Sequence, residues 1–461
     1  MKKQKRRKEK GITLVALVVT IIVLIILAGV TLNIVLDQNG IINKAQQAAE
    51  DYDTAQREEQ ELLGVAEDYI EYAGKTAPIP EGYTKSQITT EDDVVEGLVI
   101  YEIPEGANVT WTDNEDENGK NQSTITIGEN TTNLQETVNQ YVWIPVNDIN
   151  SMVMCESNSG DSVCNLVLEG EILKCTTHPD TATELAGRRY SVVHQGTTTD
   201  DDGNEVRTCE YDFTERDQTY NIDSSREPVA LSHTTHGDAR PAGVAAIKEI
   251  LGNDTASTYA EIEEEWTNLL KEDFKKMATS VAKNGGFYIS RYEVGNNGET
   301  KKGQTVLTAA SSNGTNYLGA NMWYGLFTEC RDENKKTQMI WGCQYDQVIK
   351  FIGEEAQIGH ADRNLTSSLA LAGQNNLDKM KNIYDLEGNF LEWIQSGNTS
   401  ETEVEFPEYD ITIKLYDYTR AVRGGDFFQN KYHPASTGWG SDAHEPTNDS
   451  YDKSSRVTLF L

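Results

Sequence analysis

Asn382-Ile-Tyr-Asp-Leu-Glu-Gly-Asn-Phe-Leu-Glu-Trp393 reads as a tight turn that delivers the chain into a strand. Gly388 and Asn389 adopt positive φ at low cost, so they place the turn. Glu392 and Trp393 open the strand, with Trp393 packed inward and Glu392 available to an arginine. Two further C-terminal blocks supply arginines: Arg423-Gly-Gly-Asp-Phe427 and Ser455-Arg456-Val-Thr-Leu-Phe-Leu461. An arginine fork matches a carboxylate, which makes Arg423 and Arg456 the expected partners of Glu293 and Glu392. Gly424 and Gly425 permit close backbone approach. These residues read as scaffold rather than as catalytic groups.

Working outward, Glu293 closes Gly285-Gly-Phe-Tyr-Ile-Ser-Arg-Tyr-Glu293, a strand that starts where a helix stops. That helix is predicted over 257–283, because Ile262, Trp266, Leu269, Leu270, Phe274, Met277 and Val281 recur at spacings of three and four. Asn284-Gly285-Gly286 is its stop signal. A second helix is predicted over Gln344–Ile352, and strands over 97–103 and 141–146. Residues 151–240 are polar and turn-rich and read as an insertion, with 197–208 (TTTDDDGNEVRT) as a hairpin tip.

The N-terminus has another character. MKKQKRRKEKG, residues 1–11, is basic and ends in Gly11; Ile12–Leu36 is almost uncharged and apolar. As a helix this run spans about 37 Å, enough to cross a hydrocarbon core of about 30 Å with tilt. Its basic flank places the N-terminus on the cytoplasmic side. A secretory signal carries its small cleavage residues after the apolar run, whereas here the small residue precedes it. An apolar stripe continues through Ile41, Ile42, Ala45, Ala48, Ala49, Tyr52, Leu62, Leu63, Ala66, Tyr69, Ile70 and Ala73, and 74–81 reads as a linker.

The Lys10-Gly11-Ile12-Thr13-Leu14 junction resembles the leader of type IV prepilins and secretion pseudopilins. That resemblance implies a cut between Gly11 and Ile12 by a prepilin peptidase, and lateral assembly with other pilin or pseudopilin subunits. Ala16 stands where prepilins usually carry a glutamate. The three C-terminal blocks, in their order, resemble the formylglycine-generating-enzyme (sulfatase-modifying factor) family, whose domains have a C-type-lectin-like fold. The resemblance covers roughly 82–461, loosely before 285. The expected organisation is therefore a leader at 1–11, a transmembrane and pilin-spine helix over 12–73, a linker at 74–81 and a head over 82–461. Its class is α+β: a long N-terminal pilin-type helix followed by a C-type-lectin-like head with insertions.

The same resemblance bears on activity. The oxidase members carry a copper-binding cysteine pair after the RGG block, and the related sulfoxide synthases an iron-binding histidine cluster. No cysteine follows Arg423, and His433 and His444 form no matching triad. The expectation is a non-catalytic protein without cofactor or bound metal. Two weaker metal candidates add nothing to that: Asn114, Asp116, Asn118 and Gly119 imitate a calcium loop, but Ile125 occupies the position of its bidentate acid. His233, His236 and Asp238 lack a further partner. Cys155, Cys164, Cys175, Cys209, Cys330 and Cys343 permit disulfides in an exported region, with the pairing open.

A formal charge of −34 repels nucleic acid and anionic lipid surfaces. Between Arg423 and Arg456 the chain concentrates aromatic and small polar residues, the mixture that makes good recognition surfaces. The candidate ligand-binding residues are Asp426, Phe427, Phe428, Asn430, Tyr432, His433, Trp439, Asp442, His444, Asn448 and Tyr451. This tail also resembles the variable region of diversity-generating-retroelement target proteins. The leading expectation is a minor pilin or pseudopilin, displayed at the cell surface, whose head binds a glycan or protein. The alternatives are a structural pseudopilin of a secretion or DNA-uptake machine, and a metal-dependent enzyme using the 155–343 cysteines.

Overall fold

The computed structural model describes residues 76–117, 119–156, 166–176, 184–187, 191–200, 202–212, 236–307, 323–360, 371–406, 411–425, 434–435, 438–439 and 453–461. The chain divides into two units, Met1–Ala73 and Gly74–Leu461, and all described residues belong to the second.

The strand predicted from Tyr141-Val-Trp-Ile has apolar side chains on both faces, which suits burial between layers. It forms β3, Gln140–Pro145, with every residue buried. Its partners in one six-stranded antiparallel sheet are β1 (Tyr83–Lys85), β2 (Val99–Glu102), β4 (Gly286–Ser290), β5 (Thr337–Met339) and β10 (Val457–Leu459). The spatial order is β1-β2-β3-β4-β10-β5. Tyr288 of β4 lies opposite Trp143 on one side and Leu459 on the other. Gly286 is obligatory there, because a Cβ would run into the carbonyl of Ile144 and lie 2.5 Å from the Trp143 ring. The last residue of the chain is fastened as well, since the Leu461 amide donates to Ser280 Oγ at 2.8 Å.

The described helices are α1 (Leu134–Thr137), α2 (Pro241–Leu251), α3 (Glu263–Asn284), α4 (Trp323–Cys330) and α5 (Gly342–Ile352). α3 buries Trp266, Leu270, Phe274, Met277 and Val281 along one stripe and ends at Gly285 in the left-handed conformation. Trp266 meets Trp323 and Phe327 edge-on at 6.4 and 5.5 Å, and Phe274 meets Trp341 at 5.1 Å. Such ring pairs add to the area they bury.

A second sheet carries β6 (Leu391–Phe406), β7 (Ile411–Arg423), β8 (Gly438–Trp439) and β9 (Lys453–Ser455), in the order β8-β7-β6-β9. Within 151–240, Ser191–Thr199 and Glu205–Asp212 pair as the predicted hairpin.

The expected α+β class, with a long N-terminal pilin-type helix ahead of a C-type-lectin-like head, is corrected by these elements. The described residues hold five helices in a structure made mostly of sheet, and none of those helices is long and apolar enough to cross a membrane. The longest, α3, has 22 residues, is apolar on one stripe only and opens on three glutamates. The helical weight of the sequence reading came from 12–73, which lie outside the described residues. The insertion hairpins and the long β6–β7 ribbon add strand in its place.

Candidate functional site

The turn of Asp385–Phe390 is the base on which the C-terminal segment is mounted. Asp385 (φ 61) and Asn389 (φ 63) are left-handed, whereas Gly388, expected to share that conformation, is not; asparagine and aspartate tolerate it better than most residues. Asn389 Nδ2 donates to Glu293 Oε2 at 2.6 Å, and the Phe390 amide donates to Glu293 Oε1 at 3.1 Å. Glu293 thus fixes the turn from beneath. Gly424, with φ 81, crosses the turn so closely that a Cβ would lie 2.8 Å from the Leu386 carbonyl.

From this turn β6 runs between β7 and β9. Glu392 and Trp393 lie opposite Arg423 and Val422 in antiparallel register. On the other edge Glu392 and Trp393 lie beside Ser454 and Ser455 in parallel register. The two ends of 426–452 are therefore carried by β7 and β9, one strand on each side of β6. Between those ends Tyr345 Oη donates to the Ala435 carbonyl at 3.3 Å, and β8 pairs Trp439 with Val422.

The frame is fastened by buried charges. Arg456 binds Glu392 through Nε and the Tyr384 carbonyl through Nη2, and Nη1 donates to the Ser290 carbonyl at 3.3 Å. Arg423 takes another partner than expected: Nη2 meets Asp346 Oδ1 at 2.7 Å, and the guanidinium lies 5.0 Å from the Tyr345 ring centroid. The register across β6 and β7 sets Arg423 opposite Glu392, but Arg456 takes that carboxylate, leaving α5 to supply an acid for Arg423. Gly388, Gly424, Gly425, Trp393 and the motif acids are all buried.

A second node was absent from the sequence reading. Asp238 accepts from Tyr324 Oη at 2.5 Å, from Trp266 Nε1 at 3.2 Å and from Arg420 Nη2 at 3.3 Å. Arg420 also donates to the Gln395 carbonyl at 2.6 Å and stacks 4.1 Å over Trp323. Asp238, a weak metal candidate by sequence, is thus committed to aromatic and guanidinium donors. His236 is described through its backbone alone, and His233 lies outside the described residues.

Glu293, Asp385 and Glu392 surround one guanidinium, and burial makes their charged forms expensive. Burial pushes Glu392 up to about 7 against the pull of Arg456. It pushes Asp385 to about 6 against the Gly373 amide, and Glu293 well above the carboxylate range with Asp385 reinforcing the rise. The folded chain consequently holds more protons than the unfolded chain between the ordinary carboxylate range and about pH 7. Stability from these groups is full below that range and is lost as pH rises toward 7. Thermal melts are expected to show the head more stable near pH 5 than near pH 7, with Glu392 alone contributing roughly 2–3 kcal/mol. Glu392→Gln should flatten that slope. A slope of the opposite sign would contradict the assignment. Lys302, pushed down to about 8 by burial and by Arg291, acts only above that window.

The candidate residues Asp426, Phe427, Phe428, Asn430, Tyr432, His433, Asp442, His444, Asn448 and Tyr451 lie outside the described residues, as do Gly11 and Ile12. Trp439 is placed through its backbone, against β7. Cys175 is disulfide-bonded, while Cys209, Cys330 and Cys343 are buried thiols. Burial pushes the Cys330 thiol far up, away from the reactive thiolate range. Ile125, at the acid position of the imitation calcium loop, is fully buried in the strand Thr124–Ile127. Among the described residues, no three His, Cys, Asp or Glu side chains are grouped to hold a metal ion. No protein-family model, curated protein or solved structure matches this chain.

Proposed function

We propose that this chain is a surface-displayed, non-catalytic recognition protein, and that residues 426–452 bind its ligand, a glycan or a protein. One observation carries the reading: the two ends of that segment are mounted on either side of β6, on a frame held by buried ion pairs. Binding residues positioned by a rigid scaffold are the usual arrangement for recognition. The composition of the segment supports the same use, with Phe427, Phe428, Tyr432, Trp439 and Tyr451 set among small polar residues. The basic leader and apolar run of residues 1–36 support membrane insertion with the N-terminus inside, and processing between Gly11 and Ile12.

The test is replacement of Phe427, Phe428 and Tyr432 together by serine in the full chain. Binding to glycan arrays and to whole cells is expected to fall about a hundredfold, as several aromatic anchors are lost. The melting transition should move little. Retained binding would overturn the proposal. Sequencing codons 426–452 across one population adds an independent readout, because substitutions confined to those codons identify the segment as the diversified face.

A further inference from the structure

We infer that the head has a second binding site, for a carboxylated oligosaccharide, at the end of the central sheet where the chain terminates. A trough of about 870 Å³ opens there, walled by Pro78, Pro80, Tyr83, Pro104 and Phe460, with Lys336 on its rim. Among the described residues, its lining includes none of 426–452. β9 begins at Lys453 beside β6, and the chain then runs through β10 to Phe460 at the trough.

Lys336 is the informative residue. It is exposed and holds φ 56, a left-handed conformation in which glycine is the low-cost occupant. The hairpin imposes this geometry: Asp332 and Thr337 exchange both backbone hydrogen bonds at 3.2 and 2.9 Å, and the Lys336 carbonyl accepts from the Phe460 amide at 3.0 Å. A lysine is thus kept where a glycine would be more stable by roughly 1 kcal/mol. The neighbouring lysines are neutralised, Lys335 by Glu102 at 3.1 Å and Lys301 by Glu299 at 2.7 Å. Lys336 has no ion-pair partner among the described residues, in a chain of formal charge −34. Glu81 and Glu102 line the trough as well, with Glu102 held by Lys335, so Lys336 is the cation left to draw an anionic group to its end of the trough.

The walls decide which kind of anion. Pro78, Pro80, Pro104, Tyr83 and Phe460 supply the apolar part of a mixed lining, and such groups suit the C–H faces of sugar rings. Asn334, exposed on the same rim, adds an amide for sugar hydroxyls.

The test titrates the full chain with uronate-bearing oligosaccharides, their methyl-esterified neutral forms and a polyglutamate peptide. Lys336→Gly is the key variant, because it removes the charge while suiting the turn. The expected result is uronate binding that weakens about tenfold in Lys336→Gly and when the uronate is esterified. The melting temperature of that variant should be equal or higher. Lys336→Glu should weaken binding further. Undiminished binding by Lys336→Gly, equal binding of the neutral forms, preference for polyglutamate, or failure of every uronate would each overturn the inference.

Discussion

Arg456→Met is expected to lower the unfolding free energy by about 3–5 kcal/mol, the range for removing one partner of a buried ion pair. Met approximates the length of the arginine stem, so the loss reports the guanidinium rather than a void. Without it Glu392 is left buried beside Asp385 and Glu293, with no cation among its hydrogen-bond partners. The Tyr384 and Ser290 carbonyls lose their donor at the same time, each at a further cost. Urea titration followed by tryptophan fluorescence measures the change, and Trp393, on the strand next to β9, sits beside the lesion. The loss should shrink toward pH 5, where protonated Glu392 no longer needs a counter-ion. A loss below about 1 kcal/mol, typical of an exposed pair, would contradict the burial of the cluster.

Asp238→Ala is expected to be comparably damaging, about 3–5 kcal/mol, by the converse route. The orphaned charge here is Arg420, 0% exposed. Tyr324 Oη and Trp266 Nε1 lose the same acceptor, so one truncation undoes three contacts that join α3, α4 and β7. Asp238→Asn keeps an acceptor oxygen and removes the charge, and should fall between wild type and alanine. If alanine and asparagine prove equally mild, the ion pair contributes little and the Arg420–Trp323 stacking holds the node unaided. Denaturant titration of both variants separates the cases.

The parts of this architecture that could be read from sequence are those with a local signature. The stripe from Trp266 to Val281 and its Gly285 stop gave α3, set six residues too early at its start, where Tyr259–Glu261 forms a separate 3-10 turn. The doubly apolar run gave β3, and the Gly388-Asn389 turn led to the Arg456–Glu392 pair. What escaped has no local signature. Asp238 and Arg420 are 182 positions apart, and Arg423 and Asp346 are 77 apart. No spacing rule links such residues; only the sheet order and the placement of α5 bring them together. The class itself was misjudged because periodicity over 12–73 outweighed short strands, whose alternating pattern is weak over three or four residues. Of the candidate site only the mount was legible, since Glu293, Asn389, Glu392, Arg423, Gly424 and Arg456 converge where the segment begins and ends, while the proposed binding residues, apart from the backbone of Trp439, lie outside the described residues.

The parallel register of β9 beside β6 bears on how this protein can change over generations. Both attachment points of 426–452 belong to a lattice that the segment itself enters only at Ala435 and at Gly438–Trp439 among the described residues, so variation elsewhere inside it need not be matched by compensating changes outside. Length is as free as composition: the entropy of joining two fixed ends grows only logarithmically, about 0.6 kcal/mol for each doubling. Lineages carrying much longer or shorter versions of this stretch should therefore keep Arg423, Gly424 and Arg456 at its borders, and an inventory of such lineages would read as one socket accepting many inserts.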